Sequence, residues 1–253
     1  MRNFTFGGQS LSEFGGRIVQ APSHHIAKRR VEREKIYGKS GDDFIDSGSY
    51  ENVDFSVKIA FLPFLNGQTA QQAARAVIDW LAPLQNAYYE YRDTENSGYF
   101  TQAVLTNFNQ IERELRTMLT ATLQFSRLPY WYSDEGTQET KFDNGNADNT
   151  LVNPEQYDSE PVYRYSNSRP YVENVTITVN GNAVTFSTTQ GTGDYYFDNV
   201  QGQFYCIEGG EKTYLPFQQL PNLTPGANIL KFSQNGLSSG SFELFVKPNW
   251  RRL

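Results

Sequence analysis

Residues 53–61, Val53-Asp54-Phe55-Ser56-Val57-Lys58-Ile59-Ala60-Phe61, decide the fold class, because apolar and polar side chains alternate along them. Side chains of an extended chain point to opposite faces in turn, so Val53, Phe55, Val57, Ile59 and Phe61 share one face and Asp54, Ser56 and Lys58 the other. A strand buried on one side implies a sheet with a core beneath it. Upstream, Gly38, Gly41 and Gly48 punctuate residues 36–52, and this segment reads as a tightly folded surface loop between strands. The cation-rich run Lys28-Arg29-Arg30-Val31-Glu32-Arg33-Glu34-Lys35 precedes it and reads as a salt-bridged strand face or subunit contact ahead of a phosphate site.

Working outward, Phe4 and Phe6 alternate with Asn3 and Thr5 in a short opening strand that stops at Gly7-Gly8, and a second short strand is expected near residues 17–20. After residue 61, Ala70, Ala73, Ala74, Val77, Ile78, Leu81 and Leu84 recur at helical spacing, with Thr69 or Asn66 as cap and Pro83 near the end. Trp80 falls at the edge of that stripe. Strands are predicted over residues 88–92, 99–108 and 119–125, the first two joined by a hairpin loop at 93–98, while residues 109–115 have helical spacing.

Past Pro129 the texture changes. Residues 133–161 are poor in aliphatics and rich in Asp, Glu, Asn and Gly, so a boundary is placed near Ser133, followed by a long exposed connection, giving domains 1–133 and 134–253. Asn180-Gly181 between residues 175–179 and 182–186 is a strong hairpin signal, since both turn positions of a type I′ turn require positive φ. Further strands at 194–197, 203–207, 228–233 and 241–247, with turn signals between them, describe a β-sandwich.

Aromatic residues make up 15% of the 253-residue chain, and their company of Thr, Val, Asn and Gly favours a mainly β protein. The one cysteine, Cys206, forms no intramolecular disulfide and reads as a buried strand residue. No apolar leader is visible at the N-terminus, and the longest apolar run, residues 59–65, is broken by Pro63, so a soluble protein made in a cytoplasm is expected. Residues 1–133 carry 14 basic and 14 acidic side chains, whereas residues 134–253 carry 8 and 14 and hold the entire net charge of −6. A chain without a basic face does not bind DNA tightly, though DNA can slide past it.

Catalytic and metal candidates are thin. The only histidines, His24 and His25, are adjacent and point apart on an extended chain; Asp42-Asp43 reads as a solvated turn. Residues 144–149 with Glu155 echo a calcium loop but lack its glycine at the sixth place. No metal, cofactor or catalytic residue is therefore assigned, and an enzyme is not expected. In the second half Tyr195, Tyr196, Tyr205 and Trp250 can either pack a sandwich or stack on a sugar ring, so the alternative to a structural protein is a carbohydrate-binding module that recognises host cell-wall glycans.

Several short motifs in order carry a resemblance: Phe4-Thr5-Phe6-Gly7-Gly8 with Ser12-Glu13-Phe14-Gly15; Ile36-Tyr37-Gly38-Lys39-Ser40-Gly41 with Tyr50-Glu51-Asn52; Asn107 to Glu114 leading to Leu123-Gln124-Phe125; and, in the second half, the Asn-Gly hairpin, Tyr195-Tyr196-Phe197-Asp198, and Leu220 to Asn228. Together they resemble the distal tail protein (Dit) family of siphophages infecting Gram-positive bacteria, in its short, undecorated form. The resemblance implies an N-terminal barrel-like sheet with one helix and a long hairpin, closing into a homohexameric ring, and a galectin-like or carbohydrate-binding-module-like C-terminal β-sandwich. It further implies a virion protein at the tail tip, assembled in the host cytoplasm, that joins the tail tube to the tail-associated lysin or fibre while DNA exits through the lumen. It implies no membrane partner.

A ring closed by a head-to-tail contact pairs two unlike patches on every subunit. Sheet edges such as those at residues 4–6 and 53–61 can supply one patch, and the glycine-punctuated loop the other. Phe4, Phe6, Lys39 and Tyr50 are accordingly placed at or near this contact.

Overall fold

The structure, a computed structural model, describes residues 2–20, 26–63, 67–108, 110–115, 118–142, 148–168, 173–188, 192–216, 218–234 and 242–253. His24, His25, Asn66 and residues 143–147 of the calcium-like segment lie outside the described residues. The chain divides into two compact units, Met1–Trp131 with Leu253, and Tyr132–Arg252.

The first unit contains β1 (Phe4–Phe6), β2 (Gln9–Ser10), β3 (Gly16–Ile18), β4 (Arg29–Lys35), β5 (Asp42–Tyr50), β6 (Val53–Phe61), α1 (Ala70–Leu81), β7 (Tyr89–Asp93), β8 (Tyr99–Asn107), β9 (Ile111–Leu115) and β10 (Met118–Arg127), with β11 (Trp131–Ser133) at the boundary. Its main sheet runs β2-β1-β7-β8-β10-β6-β3, and β9 pairs with part of β10. The Ile18 N–H donates to the Arg2 carbonyl at 3.2 Å, so the chain near one end of this order meets the chain near the other and the sheet curls.

The alternation along β6 places Val53, Val57, Ile59 and Phe61 in the core and Asp54, Ser56 and Lys58 in solvent. β10 lies against it in nine antiparallel pairs, from Leu119 opposite Phe61 to Arg127 opposite Val53. Phe125 is the hub of the aromatic packing: it stacks on Phe55 at 5.2 Å and meets Phe6 at 5.1 Å, Tyr91 at 5.4 Å and Phe4 at 6.1 Å.

Thr69 caps α1 reciprocally with Gln72: the Gln72 N–H donates to the Thr69 hydroxyl, and the Thr69 N–H donates to the Gln72 side chain. The buried face is Ala73, Val77, Trp80 and Leu81. Trp80 therefore sits inside the stripe, and Ile78, assigned to it by spacing, is 42% exposed. The two residues lie on different sides of the helix, and the indole takes the inner place because it stacks on Phe14 at 4.7 Å and its N–H reaches the Phe6 carbonyl at 3.1 Å.

The second unit contains β12 (Thr140–Phe142), β13 (Asn149–Asn153), β14 (Val162–Asn167), β15 (Asn174–Val179), β16 (Asn182–Ser187), β17 (Gly193–Asp198), β18 (Gln203–Glu208), β19 (Glu211–Tyr214), β20 (Gly226–Gln234), β21 (Phe242–Lys247) and β22 (Arg251–Arg252). A six-stranded sheet, β12-β21-β14-β17-β18-β19, faces a four-stranded one, β13-β20-β15-β16, across a shared core. Phe186 of the smaller sheet meets Tyr195, Phe197 and Phe204 of the larger at 5.6, 5.0 and 5.5 Å. The β15–β16 turn uses Asn180 and Gly181 at φ 50 and 82.

Three sequence expectations are corrected here. Residues 36–52 are not a loop: β5 occupies most of them and pairs with β4. Residues 111–115 form β9 rather than a helix, because five residues gain little as an isolated helix and Ile111 and Glu112 instead pair with Ala121 and Thr120. Residues 133–161 are not an exposed connection either, since β12 and β13 belong to the two sheets of the sandwich. Their polar residues mislead because they are internally satisfied: Asn153, almost wholly buried, donates to the Tyr157 and Leu223 carbonyls and accepts from the Glu155 N–H.

Replacing Phe125 by Ala removes the ring that four other aromatics share, so it should destabilise the chain by about 3–5 kcal/mol. Chemical denaturation of the variant measures this.

Candidate assembly interface

β4 and β5 form a two-stranded sheet of their own, an arm that leaves the curled sheet just before β6. Seven residues at about 3.3 Å each make it about 23 Å long. Every residue of β4 is exposed, and so are most of β5. Val31, Ile36, Tyr37, Phe44 and Ile45 all present apolar surface to solvent, with Phe44 64% and Ile45 51% exposed.

The arm is built by local pairing. At its tip the Lys39 N–H closes a turn on the Ile36 carbonyl at 3.2 Å, Gly38 and Gly41 take φ of 82 and 94, and the Lys39 ammonium pairs with Asp43. That pair matters because Asp43 stands opposite Glu34, and like charges in register weaken a ladder. On the other face Arg33 lies over the Phe44 ring at 5.4 Å.

Near the root the register slips between Arg29 and Val31, and Gly48 takes φ 72. Asp46 fixes this bulge. It accepts from the Gly48 N–H at 2.9 Å and pairs with Arg29 at 2.6 Å, and these contacts hold its carboxyl below the usual aspartate range while raising Arg29. Tyr50 closes the root: it meets Tyr130 edge-on at 5.8 Å, Arg29 lies over it, and the Glu51 N–H donates to the Lys28 carbonyl.

The four candidate residues do not form one patch. Lys39 is exposed at the arm tip and Tyr50 half-buried at its root. Phe4 and Phe6 are buried in the first unit's core, where Phe4 stacks on Tyr91 at 5.6 Å and Phe6 meets Phe125, so their rings cannot meet a neighbouring molecule. Nor are β1 and β6 the outermost strands of the sheet: β1 lies between β2 and β7, and β6 between β10 and β3, which covers it at Ile59, Ala60 and Phe61. The exposed apolar residues Phe44 and Ile45 went unrecognised because the alternation that marks a half-buried strand is missing from an arm exposed on both faces.

Other candidates resolve more simply. Cys206 is buried in β18; Asp42 and Asp43 begin β5; Asp148 pairs with Lys231 at 2.8 Å. Among the described residues no three or more His, Cys, Asp or Glu gather as a metal site, and no helix is long and apolar enough to cross a membrane. Tyr195 and Trp250 belong to the sandwich core, whereas Tyr196 and Tyr205 lie on its solvent face, stacked on each other at 4.9 Å.

A curled sheet with one capped helix and an arm, together with a β-sandwich, is a fold shared with a solved phage protein. The particular likeness is to SPP1 Dit (gp 19.1), whose crystal structure is presented as a paradigm of the hub adsorption apparatus in Gram-positive-infecting phages: the match spans 100% of both chains with a TM-score of 0.66. Sequence identity is 15%, so what the two share is the fold. No protein-family model matches the chain, and no curated sequence does.

An NMR titration should find Asp46 below the ordinary aspartate value of about 3.9. Arg29→Ala should bring it only part of the way back, because the Gly48 N–H remains.

Proposed function

We propose that this chain is a structural virion protein at the distal end of a siphophage tail, where six copies close into a hub. The observation that carries the reading is the exposed arm on a chain whose whole length shares the fold of SPP1 Dit. A two-stranded hairpin by itself is marginal in water, and this one exposes five large apolar side chains. It is stabilised if a second surface covers it. A neighbouring copy is the natural cover, since an arm from each subunit lying on an unlike patch of the next is a head-to-tail contact, which closes into a ring. In this arrangement Lys39, Phe44 and Ile45 reach the neighbour, and Tyr50 sets the angle at which the arm leaves.

The hub joins the tail tube to the tail-associated lysin or fibre and lets DNA through its lumen without specific binding. Two observations support that part. Acidic and basic side chains balance over residues 1–133. The solvent face of β6, β8 and β10 carries Ser56, Thr106, Thr122 and Gln124, with the single cation Lys58 and the carboxylate Asp54 on β6, a largely polar surface without a cluster of cations to hold phosphate. The role is structural, and the chain performs no catalysis in it.

Light scattering and electron microscopy of the purified protein should show six-fold rings. Phe44→Asp with Ile45→Asp should give folded monomers, and Lys39→Glu with Tyr50→Ala should weaken the ring. A chain that stays monomeric at high concentration, or rings that survive replacement of residues 30–49 by a short Gly-Ser turn, would overturn the assignment.

A further inference from the structure

The solvent face of the six-stranded sheet carries a row that no single stretch of sequence reveals. Lys141 stands opposite Phe245, Phe245 opposite Arg164, Arg164 opposite Tyr196, Tyr196 opposite Tyr205, and Tyr205 opposite Tyr214. One residue comes from each strand, so the row crosses the whole sheet. Six strands at about 4.8 Å spacing make it about 24 Å long.

Its members are locked against one another. The Arg164 guanidinium lies 3.7 Å from the Phe245 ring centroid and is held by Glu139 at 2.6 Å and Asp194 at 3.5 Å. Tyr196 and Tyr205 stack nearly parallel, 11° between planes. Rings stacked between neighbouring strands must stand upright on the sheet, so they turn edges and hydroxyls outward. The Lys212 ammonium lies 3.7 Å from the Tyr205 ring centroid and 4.7 Å from that of Tyr214. Tyr214 is different: it is tilted 63° from Tyr205, lies on the last strand of the sheet, and is 62% exposed. One end of the row is therefore an open aromatic surface, and the rest a line of hydroxyls and fixed charges.

We propose that this row binds a neutral saccharide chain lying across the strands. The Tyr214 ring takes the apolar face of a sugar, and the Tyr196 and Tyr205 hydroxyls with Lys212 and Arg164 hydrogen-bond its hydroxyl groups. The chemistry discriminates among ligands. A protein partner would need a desolvatable apolar centre, and here the cations and carboxylates between the rings oppose desolvation. A polyanion gains little, because Glu139, Asp194 and Glu243 offset Arg164 and Lys141. A saccharide supplies both an apolar ring face and hydroxyls, and the side chains awaiting it are already ordered, which lowers the entropic cost of binding. Tyr196 and Tyr205 titrate above the usual tyrosine range, chiefly through burial, so their hydroxyls remain available as donors. No residue of the arm takes part, so the site stands or falls independently of ring assembly.

The test is calorimetric titration of the full chain with cellohexaose, chitohexaose, linear galactan fragments and the neutral polysaccharides released from Gram-positive walls. At least one should bind, Tyr214→Ala should weaken it about tenfold or more, and Tyr205→Phe, which keeps the stack and loses the hydroxyl, should weaken it less. Unchanged thermal melting of both variants, and unchanged affinity in Tyr37→Ala on the arm, separate the site from folding and from assembly. Absence of binding to every probe, or binding that Tyr214→Ala and Tyr205→Phe leave intact, would overturn the proposal.

Discussion

The ladder between β6 and β10 is the constraint from which the first unit follows. β10 also pairs with β8 and β9, and β6 with β3, so these two strands organise the middle of the sheet. Their inward residues supply the floor on which Phe4, Phe6 and Tyr91 pack, while α1 closes over Phe4 through Trp80. The arm depends on the same ladder, since only Glu51 and Asn52 separate β5 from β6. A rigid strand thus continues into an unsupported one, and the bulge at Gly48 with the Tyr50–Tyr130 contact sets the junction between them.

Where one side of an element is buried, its residues announced it. β6, the Thr69 cap and the Asn180-Gly181 turn were legible because each rests on local physics: alternation, an oxygen for orphan N–H groups, positive φ. Residues 109–115 and 133–161 were not, because pairing partners distant in the chain decide their state. Asn153 looks like a loop residue by composition and is buried only because Tyr157 and Leu223 supply carbonyls for it. The burial of Phe4 and Phe6 was hidden for a related reason. Alternation marks Phe4 and Phe6 as apolar on one face but says nothing of whether their strand has neighbours on both sides. Lys39 and Tyr50 lie on an arm whose strand pairing was hidden by its lack of a buried face.

The two units use aromatic side chains in opposite ways. In the first, Phe125 and its neighbours are removed from water, and their value is the area they bury. On the outer sheet of the second, Tyr196 and Tyr205 stay at the surface and are ordered by stacking and by Arg164 and Lys212. Such a face has surface character and core-like order. The carboxylates of Glu139 and Glu243 beside the row are already paired, with Arg164 and Lys141.

The ends of the curled sheet carry a consequence for how the protein accumulates. β2 has two residues and β3 three, so the outermost strands offer very few unpaired amide groups to a stranger. Long bare margins are what seed runaway fibrils when a protein is made in quantity. With those margins cut short, the last strand at each end of the curled sheet gives a second chain little backbone to pair with.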